Sequence, residues 1–147
     1  MRAQSNLDTS AVTLKLPAPL SARTTDGKQA QSILANPGDY NGDGADDPAV
    51  YRTGATAGAA STWLYRTSSN VNFVAVNFGQ NGDAPCPGDY DGDHKNDFVI
   101  QRDGGTGLGV FYKLLTTGVF TSEVFGNATD VVVPGDYDGD GKADVAV

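Results

Sequence analysis

The chain has 147 residues and a formal net charge of -8 from 18 acidic and 10 basic side chains, a balance that argues against binding nucleic acid or an anionic membrane surface. Its single cysteine, Cys86, excludes an intramolecular disulfide framework and a cysteine-based zinc site, and Cys86 itself reads as a small buried strand residue. No apolar run is long enough for a membrane helix or the core of a signal peptide, so any export signal is expected to have been removed or to lie outside the chain.

In chain order, residues 1–32 read as an N-terminal arm and connector. MRAQSNLDTS is polar, AVTLKL at 11–16 alternates like one strand, and PAPLSARTTDGKQAQ is a linker. From residue 33 the sequence repeats. PGDYNGDGADDPAV, PGDYDGDHKNDFVI and PGDYDGDGKADVAV carry their first aspartates at Asp39, Asp89 and Asp136, spaced by 50 and 47 residues. Phe78-Gly79 and Phe125-Gly126 each stand 11 residues ahead of the next loop's first aspartate, counted from the phenylalanine.

Within each period a first strand runs into the acidic loop (33–35, 84–86, 131–133) and a second leaves it (48–52, 98–102, 145–147). A glycine-rich turn leads to a third (62–66, 109–113) and a polar turn to a fourth (72–78, 118–125). β-Branched and aromatic residues bounded by Gly, Asn and Ser are the strand signal. Four short antiparallel strands per period is the pattern of a β-propeller blade. The expectation is therefore an all-β chain of propeller-type blades: blade one at 33–80, blade two at 81–127 and a partial third at 128–147.

The acidic loops concentrate the charge. Numbered from the first aspartate, positions 1, 3, 5 and 9 are Asp39, Asn41, Asp43 and Asp47; then Asp89, Asp91, Asp93 and Asp97; then Asp136, Asp138, Asp140 and Asp144. Alternate residues of a tightly curled loop turn inward, and the carbonyl at position 7, from Ala45, Lys95 or Lys142, can join them. A cage of carboxylate and carbonyl oxygen suits calcium, which takes about six to eight oxygens in irregular geometry, better than magnesium, zinc or copper. Three divalent ions would bring the formal charge from -8 to -2. The EF-hand is excluded: its bidentate glutamate at position 12 is replaced by Val50, Ile100 and Val147. Glycine at position 4, and at position 6 in two loops, supplies positive φ. His94 takes position 6 in the middle loop and reads as a strained turn residue.

The Phe-Gly pairs, the GDAP…PGDY run, the D-x-D-x-D-G loops and the aspartate before each second strand resemble the FG-GAP or VCBS repeats of bacterial surface proteins, which are related to the calcium-bearing blades of the integrin α-subunit propeller. The resemblance covers residues 36–147. It implies that loop positions 1, 3, 5 and 9 are calcium ligands and that each loop joins the first and second strands of a blade. Asn41 removes a charge and His94 adds backbone strain, so those two sites are expected to bind more weakly than the third.

No catalytic set accompanies the loops. The only histidine lies inside one of them, and every nearby carboxylate is assigned to a cage, so no enzyme is expected. The reading is an extracellular or cell-surface protein stapled by three calcium ions, structural or adhesive, assembling with copies of itself because an unfinished blade exposes an edge. The alternatives are a glycan-binding lectin of propeller type and a fragment of a larger surface propeller, with a glycan or a surface protein as partner. Tyr40, Tyr90, Tyr137, Trp63, Tyr65, Phe111 and Tyr112 could line a sugar site, although packing between blades is the commoner use of such rings.

Overall fold

The computed structural model describes residues 38–67 and 73–147. All of them belong to one compact unit, 32–147. Among them there is no helix; the chain forms seven strands in two antiparallel sheets. The first sheet runs β1 (Ala49–Arg52), β2 (Ala60–Tyr65) and β3 (Val74–Gln80) in that order, and the second runs β4 (Ala84–Pro85), β5 (Phe98–Asp103), β6 (Leu108–Leu114) and β7 (Phe120–Asn127). Each is a meander of neighbours in sequence. That is the topology short glycine-rich connections allow, because two antiparallel strands need only a tight turn between them.

The expected strand order is thus present, with boundaries moved by a few residues. The expected strands at 11–16 and 33–35 lie outside the described residues. The last period departs from expectation: 131–133 and 145–147 are not strands. They are joined by the Val133 N–H to the Ala146 carbonyl at 3.0 Å and by an isolated bridge between Gly135 and Asp144. A strand needs a ladder of neighbours, and no third strand flanks this pair among the described residues.

Strand β5 is buried along its first four residues, because side chains alternate across a strand and both faces of this one are covered. Phe98 and Ile100 turn toward the first sheet, where they cluster with Trp63 and Tyr40 and against Tyr51, Tyr65, Val76, Phe78, Tyr112 and Leu114. Phe98 lies 5.5 Å from the Tyr40 ring, 5.8 Å from Trp63 and 6.1 Å from Tyr65, centroid to centroid, separations at which aromatic pairs attract. Val99 turns the other way, joining Cys86 and Phe111 in a second cluster backed by Tyr90, Val132 and Val145. Burial pushes the Cys86 thiol up to about 12, which leaves it the inert packing residue its sequence context suggests.

Of the aromatic residues that could have lined a sugar site, Tyr40, Trp63 and Phe111 are buried in these clusters, and Tyr65, Tyr90 and Tyr112 pack against them. Only Tyr137 stands clear of packing, 66% exposed. Because Phe98 joins both sheets through three rings, Phe98→Ala is expected to cost about 3–5 kcal/mol. Chemical denaturation of the two proteins under identical conditions measures it.

Candidate functional site

Each acidic loop is folded by its own carboxylates. The position 1 aspartate accepts the N–H groups of positions 4 and 6 on its two oxygens. Asp39 takes Gly42 at 2.6 Å and Gly44 at 2.8 Å, Asp89 takes Gly92 at 2.6 Å and His94 at 2.8 Å, and Asp136 takes Gly139 at 2.7 Å and Gly141 at 2.9 Å. Those N–H groups converge only if positions 4 and 6 both have positive φ. They do in every loop, including His94 at 65°, the only such non-glycine residue among those described. The strain expected of His94 is present, and the carboxylate bond to its N–H is what holds it.

Position 9 closes the loop. Its carboxylate accepts the N–H of position 2 (Asp47 from Tyr40 at 3.0 Å, Asp97 from Tyr90 at 2.8 Å, Asp144 from Tyr137 at 2.8 Å). Its own N–H donates to the glycine carbonyl just before the loop. Positions 3 and 5 make short-range turns in series: each side chain accepts the N–H two residues on, as Asp91 does from Asp93 and Asp93 from Lys95.

Carboxylate oxygens of Asp89, Asp91 and Asp97 come within 4.8 Å of one another, and so do those of Asp136, Asp138 and Asp144. Positions 1, 3 and 9 are therefore brought together in both loops. Asp93 and Asp140, at position 5, fall outside these groups; Asp93 is instead engaged by the Thr116 hydroxyl at 2.6 Å. In the first loop position 3 is Asn41, whose amide donates to Asp43 at 3.1 Å, while Asp39 and Asp47 are buried. At position 7, the N–H groups of Ala45, Lys95 and Lys142 donate to Asp43, Asp93 and Asp140.

The middle site has a cover that the sequence reading missed. The β6–β7 turn lays Thr116 N–H on Asp97 at 2.8 Å, Thr116 Oγ1 on Asp93, and Thr117 Oγ1 on Asp91 at 3.0 Å. The paired threonines of LLTTGVF are the only trace of this in the sequence, and their reach depends on how β6 and β7 bring the turn over the loop. Beneath the cover Asp89 is 2% and Asp97 0% exposed, whereas the Asp136 group is partly open. Burial pushes the Asp97 carboxyl up from 3.8 to about 6, opposed by the Thr116 and Tyr90 N–H groups and reinforced by the charges of Asp91 and Asp93.

A second recurring geometry accompanies the Phe-Gly pairs. Gly79 and Gly126 have φ of 94° and 65°, and the following N–H, from Gln80 or Asn127, donates to Asp83 or Asp130 at 2.6 and 2.8 Å. Asp83 also holds Arg102 through two bonds of 2.7 Å, fixing the turn to β5. Between the second and third loops lies a cleft of about 300 Å³, walled by Pro87–Asp89 and Asn96 on one side and by Pro134–Asp136 and Gly141–Ala143 on the other.

The chain matches no family model, no curated protein and no solved structure.

His94→Gly removes a side chain from the left-handed region, where a non-glycine residue costs about 1–3 kcal/mol, against a loss of roughly 0.5–1 kcal/mol from the freer unfolded chain. A net gain of about 1 kcal/mol is expected in a denaturation series. For Asp97, a folded pKa of about 6 above the ordinary 3.8 means that the folded form binds the proton more tightly, so its contribution is full below 3.8 and is lost as pH rises through 6. In metal-free buffer, wild type should therefore lose stability relative to Asp97→Asn between those values, which thermal melts at stepped pH will show.

Proposed function

We propose that the chain is a non-enzymatic, calcium-binding β-repeat protein of FG-GAP or VCBS type, its sheets arranged as propeller blades, with a structural or adhesive role outside the cell and a tendency to assemble with its own copies. The observation that carries the reading is the convergence of positions 1, 3 and 9 in two loops of the same register. Three carboxylates within a few ångströms repel one another strongly at low dielectric, and a hard dication removes that cost.

The donor set fits. The oxygens that accept one N–H each retain lone pairs, the groups are all oxygen, and no histidine or cysteine joins them, which favours calcium over softer metals. Asp39, Asn41, Asp43 and Asp47, with the Ala45 carbonyl, would hold the ion of the first loop. Asp89, Asp91, Asp93 and Asp97 with the Lys95 carbonyl would hold the second, and Asp136, Asp138, Asp140 and Asp144 with the Lys142 carbonyl the third. The ion supplies charge neutralisation and a fixed hairpin rather than reaction chemistry. The lectin alternative is weakened by the burial or packing of six of the seven rings it would use.

Isothermal titration of the chelator-stripped protein should give calcium binding, with a melting temperature that rises with free calcium; saturation to 100 times the dissociation constant adds about 2.7 kcal/mol for each site. Asp89→Asn with Asp97→Asn should delete one binding event and leave the others. A flat titration and unchanged melting would remove calcium from the account.

A further inference from the structure

Consecutive loops are joined by contacts that repeat. The position 8 N–H of one loop donates to the position 1 carbonyl of the loop before it: Asn96 to Asp39 and Ala143 to Asp89, both at 2.6 Å. The position 7 lysine lies over the position 4 glycine of the preceding loop, so that a Cβ on Gly42 would stand 3.0 Å from the Lys95 side chain and one on Gly92 3.2 Å from Lys142. The position 2 tyrosine packs toward the segment leaving the next loop: Tyr40 against Phe98, and Tyr90 on the same cluster as Val145.

At the third loop the receiving half of this joint is open. Among the described residues no backbone N–H reaches the Asp136 carbonyl, a Cβ on Gly139 would meet nothing within 4 Å, and Tyr137 is 66% exposed where Tyr40 is 5%. At the first loop positions 7, 8 and 10 of the donating half have no counterpart loop among the described residues. The Asp46 N–H, at position 8, has no backbone acceptor among the described residues, and Ala45, Asp46 and Pro48 are exposed. Val50 is 58% exposed, although its counterpart Ile100 is fully buried.

We propose that two copies of the chain join head to tail, the first loop of one seated on the third loop of the other. This rests on the self-assembly part of the reading above and gives it an interface. The Asp46 N–H donates to the Asp136 carbonyl of the other copy, Ala45 lies over Gly139, and Pro48 and Val50 cover Tyr137 as Phe98 covers Tyr40. The same joint already forms twice within the chain, so the two unmatched halves are complementary in hydrogen bonding, shape and apolar surface. Such a contact is heterologous, and it either closes a ring or extends a filament.

Val50→Asp and Tyr137→Asp block opposite halves at exposed positions, and circular dichroism checks that each variant keeps the fold. Analytical ultracentrifugation in calcium should show wild-type oligomers, association weakened at least tenfold in either variant alone, and a dimer, nothing larger, in their equal mixture, where one intact joint remains. Ala45→Lys, which restores the lysine found in the other two loops, should tighten wild-type association. A wild type that stays monomeric overturns both this interface and the self-assembly reading. Wild-type oligomers that persist in both variants overturn the interface alone, as does a mixture that fails to form the dimer.

Discussion

The constraint on which the rest depends is the double use of the position 1 and position 9 carboxylates. Each accepts backbone N–H groups that would otherwise point into a tight turn unpaired, and each is buried or half-buried while doing so. Burying a carboxylate is costly unless it is hydrogen-bonded. Here the bonds that offset the burial are the ones that curl the loop. The consequence is a concentration of negative charge that the loop cannot disperse, because moving any one carboxylate outward would release the turn it holds.

The loops then set the spacing of everything attached to them. The first carbonyls of the first and second loops are each tied to the next loop's position 8 N–H, so the segments leaving successive loops are held in a common register. That register places Phe98 and Ile100 against the first sheet and Val99 against the segment beyond. β5 and β1 both open with three apolar residues, FVI and AVY, yet β5 is buried along its first four positions while β1 is exposed at three of four, a difference set by what packs against each strand. Sheet packing and loop chemistry are thus one arrangement seen from two sides.

The loops are alike in backbone and unlike in surroundings. The middle one is capped by Thr116 and Thr117 and packed between neighbours; the third presents its tyrosine and its position 4 glycine outward. On charge and strain alone the third loop, with four aspartates and both glycines, ranks ahead of the others. Enclosure and the hydroxyl donors distinguish the second instead. A ranking from loop composition leaves out the side chains that reach in from 20 or more residues away, as Thr116 and Thr117 do.

What the sequence determined by itself was local. The conformation of the alternating aspartates, the glycines at positions 4 and 6 and the strained His94 follows from φ preferences and from side-chain-to-backbone bonds spanning fewer than ten residues, and the order of strands β1 to β7 from β-branched and aromatic runs bounded by turn residues. The Phe-Gly pairs were visible as landmarks, but their purpose was not: a side chain on Gly79 would collide with the Tyr51 hydroxyl, contributed from another strand. Only the tertiary structure could decide that, and likewise the hydrogen bond from the Thr116 hydroxyl to Asp93, the bond between Asp83 and Arg102, and the failure of 131–133 and 145–147 to become strands. These turn on partners that sequence spacing does not order, because a hydrogen bond or a covered face depends on distance in space, and the chain folds back before that distance is set.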